Sequence, residues 1–332
     1  MTKNGNFKRR VRARAARTGE SYTAALRHMR SPMPDHPEVE PASLVLAVAQ
    51  STVCNDPRDV EALRATAEEM RSLMRQARQS GARLIHFPEG ATCSPNKRIM
   101  SSTGPRDIGP SDWSRFEWAA LRTELDAIRQ QAAELGLWTV FGSVHPLTPP
   151  HRPHNSLYVV SDRGALVTRY DERMLSATKI SFMYAPGHLP ITFEVDGLLF
   201  GCTLGMEAHY SEIFGAYETL NVDCVLFSTT GEPSPNAPAF AAEVLGHASA
   251  NSYWVSYSAH APQSEVVPSG IAAPDGRWAA RCTADGKPSL AIARIEVDSS
   301  HPARPWRRTA RGGLYDAHHV HGDPKSEQRD SF

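Results

Sequence analysis

The chain has 332 residues, of which 41 % are hydrophobic and 22 % charged, and its formal net charge is zero. This length suits one large α/β domain or two ordinary ones, and the composition is that of a soluble globular protein. A neutral chain produces no global field that would favour nucleic acid or a membrane surface. No apolar run approaches the roughly 20 residues of a membrane span, and no apolar segment of a secretory signal follows the basic residues at the start.

The cysteine and histidine patterns argue against a metal site or a disulfide framework. The five cysteines are scattered, odd in number and never form a CxxC pair: Cys54, Cys93, Cys202, Cys224 and Cys282. Such usage favours reduced thiols in the cytosol. Three histidines cluster near the end of the chain, at His318, His319 and His321, but no cysteine or carboxylate accompanies them at ligand spacing. We therefore expect a cytoplasmic protein with no metal and no cofactor.

Composition divides the chain into four segments. Residues 1–30 carry nine Lys or Arg and one Glu, and residues 31–42 are Pro-rich and acidic, as in a linker. Residues 43–300 alternate strand and helix patterns, and residues 301–332 form a charged arm or tail. The basic segment has three interpretations: a disordered or loosely docked extension, a helix that docks a partner, or an arm that neutralises phosphates of nucleic acid. The last lacks a known nucleic-acid-reading motif.

The first predicted elements form a strand–helix–strand unit. The short apolar run over residues 44–50 predicts a strand that is buried on both faces. Asp56 followed by Pro57 predicts the start of a helix, with Asp56 as its N-cap, and Gly81 predicts its end. Residues 84–87 predict the next strand. We expect the two strands to be parallel and joined by a right-handed crossover.

The pattern then continues through the rest of the domain. A helix is predicted over 115–135 and a strand over 138–142, and strands at 155–160 and 165–170 flank a turn, as in a hairpin. Five further strands are predicted, over 191–195, 199–204, 224–228, 253–258 and 291–297. Alternating helices and strands of this kind predict a layered α/β fold built on a central sheet.

Two segments carry the motifs that point to chemistry. Residues 83–90 read Arg-Leu-Ile-His-Phe-Pro-Glu-Gly, a buried strand that ends on the carboxylate of Glu89. Residues 198–212 read as a strand, a turn and the start of a helix. Together they resemble the carbon–nitrogen hydrolase (nitrilase/amidase) superfamily, and further stretches match its segments: 141–143, 154–158, 170–187, 223–228, 247–251 and 273–276.

The resemblance implies a fold and an assembly. The fold would be a four-layer α-β-β-α sandwich of the carbon–nitrogen hydrolase type, and the protein would be a homodimer. Residues 304–315 resemble the carboxyl-terminal arm that often packs across the dimer in this family. The expected ligands are small molecules of the amide, nitrile or carboxylate class, and the family implies no cofactor.

The resemblance also implies the positions of the catalytic groups. Glu89 takes the place of the general base. The family places its catalytic Lys two residues after a Tyr, where this chain has Glu172 after Tyr170. The family's second Glu falls in an interval where this chain has Lys179. The two charges are therefore either exchanged around Glu89, which would keep the local charge sum constant, or carried by loop residues in solvent.

The nucleophile is the decisive departure from the family. Counting back from Glu212, which matches the last residue of the family motif, places Gly205 where the nucleophilic Cys should stand. Cys202 lies three residues earlier within the predicted strand, and an odd displacement along a strand points to the opposite face. By the same resemblance, Met206 and Glu207 beside the nucleophile position, and Thr229 in the loop after the next strand, are expected to bind substrate.

Three functions fit these residues. The first is a non-hydrolytic relative, a pseudoenzyme that binds a small molecule in a pocket lined by Glu89. The second is an enzyme of altered acid–base chemistry that uses Glu89 and Lys179 without a covalent intermediate. The third is an ordinary hydrolase of C–N bonds that uses Cys202 as its nucleophile.

Overall fold

The computed structural model describes residues 8, 11–12, 22, 41–231, 237–297 and 302–328. The chain divides into two units, residues 1–41 and 42–332. In the first unit five positions are described: Lys8, Val11, Arg12 and Tyr22, which are in helical conformation, and Pro41, which is not. The predictions of a basic extension and a Pro-rich linker otherwise fall outside the described residues.

The second unit contains twelve strands and seven α-helices in its described part. The strands are β1 (Ser43–Gln50), β2 (Leu84–His86), β3 (Trp138–His145), β4 (His154–Val160), β5 (Leu166–Asp171), β6 (Thr192–Val195), β7 (Leu198–Leu204), β8 (Cys224–Ser228), β9 (Trp254–Ser258), β10 (Gly270–Ala272), β11 (Trp278–Arg281) and β12 (Ser289–Glu296). The helices are α1 (Val60–Gln79), α2 (Lys97–Met100), α3 (Trp118–Leu135), α4 (Ser211–Thr219), α5 (Ala237–Asn251), α6 (Ala303–Thr309) and α7 (Pro324–Glu327). None of the described helices is long and apolar enough to cross a membrane.

The strands form two six-stranded sheets, in the orders β12-β1-β2-β3-β4-β5 and β11-β10-β9-β8-β7-β6. In each sheet three strands are parallel, β1 to β3 in the first and β7 to β9 in the second, and the outer strands pair antiparallel. The predicted pairing of the first two strands as parallel neighbours is confirmed.

Three apolar clusters define the layers. The first joins residues of both sheets, such as Leu46 and Val48 of β1 with Leu204 of β7 and Leu226 of β8, so the two sheets pack face to face. The second cluster holds α1 and α3 against the first sheet, and the third holds α4 and α5 against the second. The predicted four-layer α-β-β-α sandwich is confirmed.

Some details differ from the sequence prediction. Helix α1 is capped by Asp59, whose carboxylate accepts a hydrogen bond from Ala62 N, and not by Asp56. The Asp56 carboxylate instead accepts from the backbone and the guanidinium of Arg58, which closes a turn before the helix begins. Strands β10 and β11 were not predicted, because three or four residues are too few to show a period of two.

Candidate active site

Three charged side chains from separate elements meet beside the end of β7. Glu89 lies in the loop after β2, Glu172 directly follows β5, and Lys179 begins a π-helical turn, Lys179–Met183. Lys179 Nζ lies 2.5 Å from Glu89 Oε1 and 2.7 Å from Glu172 Oε2. The side chain of Glu172 is fully buried and that of Glu89 nearly so. The sequence left open whether Glu172 and Lys179 lie in solvent, and the structure places both in this cluster, which we call the ion triad.

Asn155 donates hydrogen bonds to both carboxyl groups of the ion triad. Its side-chain amide nitrogen donates to Glu89 Oε1 at 2.9 Å and to Glu172 Oε2 at 2.6 Å. Asn155 lies on β4, within the stretch that matches a family segment, but its role was not predicted. The signal was therefore present in the motif, although only the folded arrangement of β2, β4 and β5 shows which groups the amide joins.

The two neighbouring charges affect Glu172 in opposite directions. Burial, the largest influence, and the Glu89 carboxylate raise the pKa of Glu172, the Lys179 ammonium lowers it, and the net value is about 8. Burial and the Glu89 carboxylate thus favour the protonated form of Glu172, whereas the Lys179 ammonium favours the carboxylate. For Lys179, burial opposes the charge, but the two carboxylates beside it raise its pKa above the ordinary value. Lys179 remains an ammonium.

Gly205 lies at the centre of the ion triad. It directly follows β7, begins a 3-10 turn (Gly205–His209), and has a φ of +54°, in the left-handed region that favours glycine. A Cβ built on its backbone would lie 2.6 Å from Glu172 Oε1, 3.0 Å from Lys179 Nζ and 3.2 Å from Glu89 Oε2. Side-chain atoms of the ion triad therefore fill the space where the side chain of a nucleophile would begin.

Cys202 lies away from the ion triad. It belongs to the apolar cluster between the two sheets and is fully buried. Burial, followed by the charge of Glu207, raises the pKa of its thiol well above the usual value. A buried thiol that is held protonated is a poor nucleophile. The arrangement therefore gives no support to the Cys202 route for hydrolysis.

The Glu89 loop is fixed by contacts with the second sheet. The backbone N–H of Thr230 donates to Glu89 Oε2 at 3.1 Å. Ser228 Oγ, at the end of β8, donates to the carbonyl of Phe87 at 3.0 Å and lies 2.7 Å from His86 Nε2. Because the Ser228 hydroxyl uses its proton on Phe87, His86 Nε2 is the donor to Ser228. These bonds hold the loop that carries Glu89 against the end of β8.

A cavity of about 530 Å³ opens onto the ion triad. Its walls include Glu89, Lys179 and Gly205, together with Met206 and Thr229, which the sequence predicted as substrate-binding residues. The cavity thus brings most of the predicted site residues onto one surface.

His260 is a wall residue that the sequence did not reveal. Its side chain lies on the cavity wall, is nearly fully buried, and lies against the backbone of Ser51, Thr52 and Glu89. Burial lowers its pKa, so the ring is neutral and offers one donor and one acceptor. No motif marks His260, because it follows β9 and reaches the site only through the fold.

Glu207 has a different environment from the one expected for a substrate-binding residue. It is fully buried, and Tyr170 OH and Leu204 N donate to one carboxylate oxygen at 2.6 and 2.9 Å. Arg173 N and Met174 N donate to the other at 2.7 and 3.2 Å. Its contacts join the turn after β7 to the segment after β5. Glu207 is not a residue of the cavity wall, and its contacts hold the backbone next to Gly205 and Glu172 in place.

Among the described residues, no group of three or more His, Cys, Asp or Glu side chains is arranged to hold a metal ion. All five cysteines are free and buried.

Comparison with known proteins agrees with this architecture. Residues 46–305 match the family model described as Carbon-nitrogen hydrolase, which is well over half of the chain. The chain therefore belongs to the carbon–nitrogen hydrolase family. None of the curated proteins matches it by sequence.

Several solved structures share the fold. One is a cysteine-to-alanine mutant of the amidase from Nesterenkonia AN1, of the nitrilase superfamily, with 14 % identity over 82 % of this chain and 97 % of that chain and a TM-score of 0.64. The same kind of mutant in complex with butyramide has 17 % identity over 80 % of this chain and 96 % of that chain, with a TM-score of 0.61. A glutamate mutant of that amidase, with acrylamide added at its active site cysteine, has 15 % identity over 79 % of this chain and 99 % of that chain, with a TM-score of 0.62. At these identities the likeness concerns the fold.

Proposed function

We propose that this chain binds a small acyl compound in the cavity beside the ion triad and forms no acyl-enzyme. The observation that carries the proposal is the position of Gly205. A family nucleophile would begin at its Cβ, and that point lies within 3.2 Å of all three charged side chains. The chain is thus a divergent member of its family, with the base Glu89 retained, Glu172 at the Lys position and glycine at the Cys position.

The loss of the nucleophile has a large expected effect on covalent hydrolysis. Removing the nucleophile of a triad-type hydrolase lowers turnover about a million-fold. Cys202 offers no replacement, because it is buried between the sheets with its thiol protonated. Covalent hydrolysis of the amidase or nitrilase kind is therefore the least supported of the three candidate functions, after ligand binding and non-covalent catalysis.

The ligand class follows from the family and the cavity. The amidase with the same fold has been solved with butyramide and with acrylamide. The cavity here offers Glu89, Lys179, Thr229 and a neutral His260, a mixture of donors and acceptors that suits a small polar carbonyl compound. We propose ligands of the amide, nitrile or carboxylate class.

Two measurements test the proposal together. Butyramide should raise the melting temperature of the protein, whereas 1-butanol, which has the same chain length and no carbonyl, should not. Intact mass spectrometry after incubation with fluoroacetamide or an activated ester should show no adduct. An adduct that disappears in the Cys202→Ala variant would refute the assignment of a missing nucleophile.

We also propose that the protein is a cytoplasmic homodimer that uses the segment from α6 to residue 320. The free thiols support the location. Arg304 of this segment binds Asp223 at 2.9 Å, while Trp306, Tyr315 and Val320 are 55 %, 49 % and 61 % exposed. These apolar surfaces fit a second copy of the chain. Light scattering should give the dimer mass, and Trp306→Ala should shift the population toward monomer.

A further inference from the structure

A second cavity, of about 300 Å³, lies between helix α3 and the first sheet, and we call it the α3 cavity. It shares no wall residue with the cavity at the ion triad. Most of its wall is apolar and comes from α3, β3 and β4, with Leu121, Leu125, Phe141, Val144 and Val160 among its residues. A cavity of about 150 Å³ with walls of this kind is enough to bind benzene. The α3 cavity therefore has the size and the surface to hold a small apolar molecule.

Two polar side chains on this wall form a hydrogen-bonded pair whose direction is fixed. His145 Nδ1 lies 2.7 Å from Tyr158 OH, and His145 Nε2 lies 2.6 Å from Arg169 Nη1. A guanidinium can only donate hydrogen bonds, so His145 Nε2 is the acceptor and the ring carries its proton on Nδ1. His145 Nδ1–H therefore donates to the oxygen of Tyr158.

This direction leaves the proton of the Tyr158 hydroxyl without an acceptor. Its oxygen accepts from His145, and none of the other residues that the structure describes accepts the phenolic proton. Tyr158 is only 7 % exposed, and burial raises its pKa to about 12, so the proton stays on the oxygen. A buried donor that is not used is unfavourable. An acceptor oxygen on a molecule in the α3 cavity would satisfy it.

The charges beside Tyr158 cancel one another. Arg169 donates to both oxygens of Asp171, from Nε at 2.7 Å and from Nη2 at 2.9 Å, so its charge is paired. Burial and, next, the charge of Arg169 lower the pKa of His145 to about 4, so its ring is neutral. An ionised carboxylate placed here would lose its hydration without gaining a free counter-ion. The buried end of the α3 cavity therefore suits an uncharged oxygen.

The charged wall residues near the surface do not change this conclusion. Arg129 pairs with Asp126 at 3.2 Å and also donates to the carbonyl of Gly164. Arg122 is exposed, and a guanidinium that keeps its water attracts an anion only weakly.

We propose that the α3 cavity is a second binding site, which takes small uncharged ketones or esters with an aromatic or branched apolar body. The apolar walls hold the body, and the carbonyl oxygen accepts the hydrogen bond of the Tyr158 hydroxyl. The site is separate from the ion triad, so this inference stands whether or not the first cavity binds amides.

The test uses acetophenone, an aromatic ring with one carbonyl oxygen, and isothermal titration calorimetry on the full-length chain. The comparison ligand is α-methylstyrene, which has nearly the same shape with a CH₂ group in place of the oxygen. Tyr158→Phe removes only the hydroxyl and should weaken acetophenone binding by about 2- to 12-fold, the net contribution of one neutral hydrogen bond. The same variant should leave the Kd of α-methylstyrene unchanged, which a general disturbance of the cavity would not do.

A second pair of variants locates the site and does not depend on Tyr158. Leu166 lies on the wall of the α3 cavity and Val167 does not, although they are neighbours on β5 and are 50 % and 48 % exposed. A larger side chain fits at either position because both are half-exposed. Leu166→Trp should block the mouth and abolish acetophenone binding, whereas Val167→Trp, the matched control, should bind as the wild type does.

Each contrary outcome overturns the inference. Wild-type protein that binds no acetophenone, or wild-type affinity in Tyr158→Phe, would do so. Displacement of acetophenone by butyramide, or its undiminished binding to Leu166→Trp, would place the ligand outside the α3 cavity. Benzoate that binds more tightly than acetophenone would refute the uncharged ligand class and point to the cations at the surface.

Discussion

A methyl group at position 205 would test whether the ion triad occupies the place of a nucleophile. In Gly205→Ala the new Cβ would lie 2.6 Å from Glu172 Oε1 and 3.0 Å from Lys179 Nζ, distances shorter than ordinary contacts. The backbone would also have to keep a φ of +54° with a side chain attached. Either the turn after β7 or the Glu172 carboxyl must move.

The expected loss of stability has two parts. An alanine in the left-handed region costs about 1–2 kcal/mol. Overpacking of a buried site costs about 1–3 kcal/mol, and here Glu172 would shift away from its bonds with Asn155 and Lys179. We therefore expect the free energy of unfolding to fall by about 2–5 kcal/mol.

Equilibrium urea unfolding, followed by fluorescence, measures the effect. Gly215→Ala is the matched control, because Gly215 lies inside α4 with no atom within 4 Å of its Cβ position. That substitution should stabilise the protein by about 0.5–1 kcal/mol, since alanine is the better helix former. If Gly205→Ala matched the wild type within about 0.5 kcal/mol, a margin typical of neutral surface changes, the crowded geometry around Gly205 would be wrong.

Three further predictions address the site and the segments around it. The triple variant Gly205→Cys, Glu172→Lys and Lys179→Glu should form an acyl adduct with an activated ester in intact mass spectrometry. Gly205→Cys alone should not, because Glu172 and Lys179 would still occupy each other's family positions. Equal labelling of both variants would contradict this reasoning. All five cysteines are buried, so they should resist a thiol reagent in the native protein and react in urea, and rapid native labelling of any one would show that it is accessible. Deletion of residues 1–30 should leave the melting temperature nearly unchanged, because their composition offers few apolar side chains to offset the entropy of ordering, and a fall of many degrees would show that the segment is structural.

The sequence by itself determined most of the fold and two positions of the site. Continuous apolar runs fixed β1, β7 and β8 to within a residue, because strands buried on both faces leave a plain signal. Glu89 and Gly205 follow their strands so closely that the motifs alone gave their positions. The strands β10 and β11 are too short for the sequence to show a period of two. The cap at Asp59 was missed because Asp56, followed by Pro57, looks equally suitable in the sequence.

Only the tertiary structure decided how the charges are arranged. Glu172 and Lys179 are separated from Glu89 by more than 80 residues, and no local pattern states whether their side chains point inward. Packing of the two sheets brings β2, β4, β5 and β7 together and so joins Glu89, Asn155 and Glu172 at Gly205. Burial in that position, which no sequence records, raises the pKa of Glu172, and the ammonium of Lys179 opposes that shift.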